Sequence, residues 1–289
     1  MGEATKILWA GRPLPDGSIE PGFSWNPWIG CTKVSAGCLN CYAETLNSFH
    51  KWNPEGWGKG KPRKLTSDTN WKKPIQWAKK AVKDGVTRRV FCASLADVFD
   101  DEVPNEWRLR LFALIMDTEK IGGLEWLILT KRPENIETML PWMSDTITNI
   151  RIGVTCENQE MADKRILELL RAWRGKNFVS VEPMLEEVNL RQSTIDFLDG
   201  WYADIYIHRD TGEAEPMQVP MRKLDWVICG CESGSNARPM NIDWTRSLRD
   251  QCVEASTPFF LKQMMVDGKL VKMPELDGKI WSQFPEVRG

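Results

Sequence analysis

From residue 86 onward the chain alternates between two kinds of segment. Short apolar runs without period-two alternation (VTRRVFCASL, LEWLILTK, NIRIGVTC, NFVSVEPML, LDWVICGCESG and TPFFLKQ) end in polar or charged clusters. After most of them comes a stretch with apolar residues at helical spacing. In VPNEWRLRLFALIMDTE, Trp107, Leu111, Leu114 and Ile115 share one side of a helix, and RPENIETMLPWM, ENQEMADKRILELLRAW and DWTRSLRDQCVEA continue the beat. An apolar run that does not alternate is a strand covered on both faces, the mark of a parallel sheet. Parallel strands need crossovers, which the helices supply. Adding FSWNPWIG, the pattern predicts about seven strands, six of them in strand-to-helix order. The fold class is therefore α/β: a partial or complete (β/α) barrel, with an open doubly wound sheet as the second choice.

Two segments interrupt the beat within what reads as one domain over residues 1–289. Residues 191–223, with DGWYADIYIHRDTGEAEPMQV, read as an insertion, a hairpin turning at Asp210-Thr211-Gly212. Residues 51–85 form a basic loop and helix, opening with the Gly/Pro/Lys-rich NPEGWGKGKPRKLTSDTN. There is no internal repeat and no low-complexity tract.

Charge changes this picture. The chain carries −2 overall, yet residues 51–90 hold twelve Lys and Arg against Glu55, Asp68 and Asp84, a local +9. Four of the fifteen tryptophans (Trp52, Trp57, Trp71 and Trp77) lie in the same segment. Cations grip phosphates and indoles stack on bases, so Trp57, Lys59, Lys61, Arg63, Lys64, Lys72 and Lys73 are candidate nucleic-acid contacts. The alternative is a solvated lysine face with its tryptophans packed inward, since Ile75, Ala78, Ala81 and Val82 are spaced as a core stripe.

No apolar run approaches the roughly 18 residues of a membrane span. The N-terminus has no signal-peptide pattern, and Lys6 stands where myristoylation wants Ser or Thr. The expected setting is cytoplasmic, where thiols stay reduced and clustered cysteines speak for metal or redox chemistry.

Three of the eight cysteines, Cys31, Cys38 and Cys41, fall within GCTKVSAGCLNCYAE, on the loop after the first predicted strand. Structural zinc would want a fourth ligand, but the only histidines are His50 and His208 and no second CxxC exists. Three unrelated buried thiols, or a thioredoxin-like Cys38/Cys41 pair that leaves Cys31 idle, are the other readings. Three ligands and a vacancy suit an iron–sulfur cluster that keeps one iron for another partner.

Three cysteines after strand one of an α/β barrel, with Tyr42 directly after the last, resemble the radical S-adenosylmethionine (SAM) superfamily. More narrowly, WNPWIGCTKVSAGCLNCYAE with LTKRPEN, GVTCEN and SVEPML resembles a phage and prophage family known by its three-Cys motif, from about Phe23 to about Met264. The first gap departs from the usual C-x3-C-x2-C and holds six residues; Gly30 and Gly37 permit the longer loop.

The resemblance implies that Cys31, Cys38 and Cys41 hold a 4Fe–4S cluster, that SAM chelates the remaining iron, and that reductive cleavage yields a 5′-deoxyadenosyl radical which abstracts hydrogen from substrate. It assigns Ser94 and Asp97 to the methionine amino group, Lys131 or Arg132 to its carboxylate, and Thr155, Glu157, Asn158 and Glu182 to the ribose. Glu182, Glu232 and Cys231 become candidate catalytic residues, with Arg238 beside Glu232. Each of these residues could instead serve a rim salt bridge. Cys229 and Cys231, two apart on one predicted strand, could be a hydrogen-atom donor or second-cluster ligands, or buried packing like Cys92, Cys156 and Cys252. The expected substrate is a nucleobase or nucleotide, with a base in phage DNA as one form of it. The expected electron donor is of the flavodoxin or ferredoxin kind. The competing function is a metal-stapled barrel, holding zinc or an iron–sulfur group, that binds nucleic acid or protein without catalysis.

Overall fold

The computed structural model describes residues 4–140, 147–207 and 214–285. Seven parallel strands make its main sheet: β1 (Phe23–Trp25), β2 (Arg88–Cys92), β3 (Leu124–Thr130), β4 (Ile150–Thr155), β5 (Lys176–Val181), then β8 (Val227–Gly230) and β9 (Phe259–Val266). Between the fifth and sixth of these, β6 (Trp201–Ile207) and β7 (Ala214–Pro220) form an antiparallel hairpin of the insertion. Its turn at Asp210-Thr211-Gly212, with His208, lies outside the described residues. An antiparallel edge strand, β10 (Lys269–Lys272), closes the order β1-β2-β3-β4-β5-β8-β9-β10.

That order never reverses. Right-handed crossovers between strands laid down in one direction put every helix on the same face, which excludes the doubly wound alternative. Among the described residues β1 and β10 do not pair with each other, so the sheet is a partial barrel. The crossovers are carried by α1 (Tyr42–His50) and α2 (Lys73–Lys83), α3 (Asn105–Ile121), α4 (Gln159–Ala172) and α5 (Ile242–Glu254).

Three expectations are adjusted. FSWNPWIG is not one strand: after β1 the chain breaks at Pro27, and Trp28–Ile29 turns aside to pair with Lys64–Leu65. The helix expected in RPENIETMLPWM shrinks to a 3₁₀ turn (Pro133–Asn135) and one α turn (Ile136–Met139). Pro141, Trp142 and Met143 lie outside the described residues. Among the described residues no helix crosses between β5 and β8, where the insertion takes its place.

Strand side chains divide between two faces, both apolar, which is why the sequence shows no alternation. Val90, Cys92, Trp126, Ile128, Ile152, Val154, Val179 and Leu261 meet the helices in the larger core. Their neighbours Phe91, Leu127, Phe178, Trp226, Ile228 and Phe260 gather on the concave side around Trp9, which a 3₁₀ turn (Leu8–Ala10) inserts from below. Trp9 stands 4.7 Å from Phe91 and 5.9 Å from Phe178, ring to ring, and forms an aromatic floor.

Toward the N-terminal ends of the strands, Glu125 is 2% exposed and accepts hydrogen bonds from Arg89 Nε at 2.8 Å and Arg151 Nη2 at 3.2 Å. Burial works to raise this carboxyl, but Arg151 and Arg89 outweigh it and hold it below its ordinary range. Polar chemistry is thereby left to the opposite, C-terminal end. Glu125→Ala should leave two guanidinium groups buried without their counter-charge and cost about 3–5 kcal/mol. Urea denaturation reads this directly, and a loss under about 1 kcal/mol would mean that other groups neutralise the arginines.

Candidate active site

The cysteine loop leaves the sheet through Gly30, whose φ of +123° suits glycine alone; a Cβ there would lie 2.5 Å from the Gly56 carbonyl oxygen. That carbonyl accepts the Cys31 amide at 3.1 Å, and the Gly58 amide donates back to the Cys31 carbonyl at 3.0 Å. A 3₁₀ turn (Ala36–Cys38) follows, and Cys41 stands at the N-cap of α1. Cys31, Cys38 and Cys41 are half-buried, whereas the other five thiols are buried in the protein.

The loop has little apolar substance and is held by polar groups from four strand ends. After β2, the Ser94 carbonyl accepts the Tyr42 hydroxyl at 2.7 Å. After β3, the Arg132 guanidinium donates to the Thr32 carbonyl at 2.7 Å and approaches Cys31 Sγ at 3.8 Å. After β4, Glu157 accepts the Gly37 amide at 3.0 Å, and a Cβ on Gly37 would strike its carboxylate. After β8, Glu232 accepts the Asn40 side-chain amide at 2.9 Å.

Three of these anchors are themselves braced. Asp97 accepts from Arg132 Nη1 at 3.0 Å, Thr130 Oγ1 at 2.7 Å and the amides of Lys131 and Phe99. Arg165 donates to Glu157 at 2.8 Å and to the Thr155 carbonyl at 2.7 Å. Arg238 donates to Glu232 from its backbone amide and from Nε, both at 2.9 Å. Glu182 forms an ion pair with Lys262 from β9.

Electrostatics follows from this bracing. Burial, then the Asp97 charge, pushes the Cys31 thiol up to about 12 against the pull of Arg132. Burial works to raise both Glu157 and Glu232. It is outweighed for Glu157 by the nearby Ser35 hydroxyl, Arg165, the Gly37 amide and Lys131, and for Glu232 by Arg238 and Asn40, so both sit below the ordinary carboxylate range. Cys231 is pushed up to about 11, chiefly by burial and then by the Glu182 charge.

Against the residues expected from sequence, the geometry is mixed. Ser94, Asp97, Arg132, Thr155, Glu157, Glu182, Glu232 and Cys231 all stand at the strand ends around the cysteine loop. Several are engaged in holding it, so Asp97, Arg132, Glu157 and Glu232 meet protein groups where cofactor or substrate was expected. Asn158 caps α4, accepting the Met161 amide at 2.9 Å, instead of facing the loop. Lys131 makes no side-chain ion pair among the described residues and lies where its charge lowers Glu157. Cys229 and Cys231 do not act as a matched pair. The register shifts between Cys229 and Gly230, and Cys229 packs on the helix side, 3.7 Å from Met184 Sδ.

The basic segment is also divided. Lys59, Lys61, Lys64 and Lys72 are exposed and Lys73 is half-buried. Arg63 turns inward: 7% exposed, it pairs with Asp100 at 2.8 Å and Glu102 at 3.1 Å and donates to Thr32 Oγ1 at 2.6 Å. It is a strut of the cysteine loop, out of reach of a phosphate backbone. Trp57 packs beside Ile29, Ala43 and Leu95, Trp71 is buried, and Trp77 stacks on Phe23 at 4.2 Å. Sequence reasoning missed Thr32, Asn40, Asp100 and Arg165. Only the acidic run around Asp100, which answers the basic segment in charge, offered a signal.

Among the described residues no three His, Cys, Asp or Glu side chains converge as ready metal ligands. The donor set still fits an iron–sulfur cluster: three soft thiols on one loop, in partial contact with solvent, while the other five cysteines are buried. Among the described residues no helix is long and apolar enough to cross a membrane. A groove of about 730 Å³ between α4, α5 and the insertion, lined by Asn189, Arg191, Gln192 and Gln251, lies away from the cysteines.

The model of a family described as protein of unknown function (DUF5131) matches residues 17–285. No curated protein matches the sequence. Among solved structures, a double mutant of spore photoproduct lyase with bound AdoMet and dinucleoside spore photoproduct is similar at 9% identity and a TM-score of 0.42. The alignment covers 86% of this chain and 64% of that enzyme, so less than two thirds of its length is spanned. A likeness that distant carries no argument about activity.

Because Glu157 is held below its ordinary pKa, the stability it contributes is full above about pH 4.3 and is lost as pH falls through the lowered folded value. Glu157→Gln should therefore cost about 1–3 kcal/mol at neutral pH, a difference that closes in acid. Urea denaturation of both proteins across pH measures this, and a difference independent of pH would contradict it. Trypsin should also cut after exposed Lys33 several times faster in the variant, on the view that the loop loosens.

Proposed function

The chain belongs to the DUF5131 family, whose description assigns no activity, and we propose from its own residues that it is a radical SAM enzyme acting on a nucleobase, a nucleotide or a base in DNA. One observation carries the reading: the only half-exposed thiols lie on one loop, tied at its turns to the C-terminal ends of strands in a partial parallel barrel, where such folds place their chemistry.

Cys31, Cys38 and Cys41 are the ligands for a 4Fe–4S cluster, with SAM as co-substrate. When bound, that pair supplies one-electron cleavage of the sulfonium and a carbon radical. The remainder falls to the protein. Lys131, the cation near Glu157 with no ion pair of its own among the described residues, takes over the expected carboxylate contact from the engaged Arg132. Thr155 and Ser180 are register partners on the concave side of β4 and β5, and Glu182 lies two residues beyond Ser180 on the same side. The Ser180 hydroxyl is buried without a partner and is available to a ribose or a base. The aromatic floor below keeps water from the inner end. Lys262 holds Glu182, and Cys231 is close enough to feel that carboxylate, so Glu182 and Cys231 remain the candidate catalytic pair. Glu232 moves to a positioning role through Asn40.

The exposed Lys59, Lys61, Lys64 and Lys72, on the segment strapped beside Cys31, support an anionic substrate. A flavodoxin- or ferredoxin-like protein is the electron donor in this reading. The rival, a zinc-stapled binding protein, differs in colour and in SAM chemistry.

Anaerobic reconstitution should give a brown protein with about four irons and four sulfides per chain, lost in Cys31→Ala, Cys38→Ala or Cys41→Ala. Reduced with excess SAM, it should release 5′-deoxyadenosine and methionine. A loaded, reduced protein that leaves SAM intact would reject the reading. DNA affinity should fall steeply with salt, and replacing Lys59 and Lys61 with Ala should flatten the log–log slope by up to about two units. Absence of binding at low salt would shift the substrate to a free nucleotide.

A further inference from the structure

Arg132 is 4% exposed, yet it is not simply a core ion pair. Its two terminal nitrogens join a brace to the cysteine loop. Nη1 lies 3.0 Å from Asp97 Oδ2 and 3.8 Å from Cys31 Sγ; Nη2 lies 2.7 Å from the Thr32 carbonyl oxygen. The brace is rigid, because Asp97 is held in turn by Thr130, Lys131 and Phe99. A planar guanidinium fixed on one side presents its other donors in one direction only. Here that direction is the sulfur of Cys31 and the backbone next to it. Among the described residues neither Cys38 nor Cys41 receives a side-chain hydrogen bond of this kind.

We propose that Arg132 is a positioning residue that fixes the Cys31 sulfur as a ligand and, by its charge and its hydrogen bond, raises the reduction potential of the cluster held there. The role rests on the cluster reading above. A more reduced cluster is more negative, so a donor aimed at a ligand sulfur stabilises the reduced form. The same cation offsets Asp97 and Asp100, which would otherwise surround a negative centre with further negative charge. Arg63 supplies the control. It reaches Thr32 through the hydroxyl alone and does not touch a thiol.

The test compares wild type, Arg132→Gln, Arg132→Lys and Thr32→Val after anaerobic reconstitution, reading iron content and the midpoint potential by a titration followed with electron paramagnetic resonance. Arg132→Gln should load and titrate at a more negative potential. Arg132→Lys, which keeps the cation without the fork, should fall between. Thr32→Val, which loosens the Arg63 strut and leaves Arg132 in place, should match wild type. A loaded Arg132→Gln at the wild-type potential overturns the proposal. If that variant holds no iron, the comparison rests on Arg132→Lys, whose potential must still lie below that of Thr32→Val. Wild-type protein that takes up no iron would instead reject the cluster reading itself, a result distinct from a loaded variant with an unmoved potential.

Discussion

A loop that carries three thiols and few apolar side chains cannot fold on its own burial; charge and hydrogen bonds have to hold it. Two buried arginines meet at Thr32, Arg63 at its hydroxyl and Arg132 at its carbonyl, with Asp97 and Asp100 as their counter-charges. Either guanidinium buried alone would be costly, and so would either carboxylate. Together they make a lattice that fixes the first cysteine. Glu157 and Glu232 then fix the turn at Gly37 and the segment at Asn40. The rest of the candidate site takes its position from this lattice, because the same strand ends that anchor the loop also face the space beneath it.

Much of the fold was legible because buried parallel strands leave an unmistakable record. Residues such as those of LEWLILT meet helices on one side and an aromatic floor on the other, so the run stays apolar throughout. Strand order was not legible in the same way. A barrel and a doubly wound sheet present the same alternation of strands and helices, and only the direction of each crossover tells them apart. Pro27 shows how a single residue defeats a pattern: the apolar count continues through it, but the ladder cannot.

The structure gathers most of the expected residues around the cysteine loop but gives several of them protein partners. A sequence shows that Arg132, Glu157 and Glu232 fall at strand ends; it does not show what each side chain faces. Arg63 is the plainest case. Within a run of lysines it looks like another solvated cation, but its partners Asp100 and Glu102 come from a different part of the chain, and their pairing exists only once the strands are assembled. Asn158 differs again, since the local geometry of a helix start claimed a side chain that motif reasoning gave to a ligand.

The aromatic floor joins residues that are made at very different times. Trp9 packs against Trp226, and Trp226 packs in turn against Phe284, with ring centres 6.3 and 5.6 Å apart. During synthesis the early tryptophan has no completed surface to rest on until the last of these residues has left the ribosome. Large apolar rings stay uncovered throughout that interval, which is the condition under which nascent chains stick to one another or are held by chaperones. The contacts that seal the floor are also among the most distant in the sequence, so they close late. The concave face of the sheet therefore stays partly uncovered until Phe284 has been made.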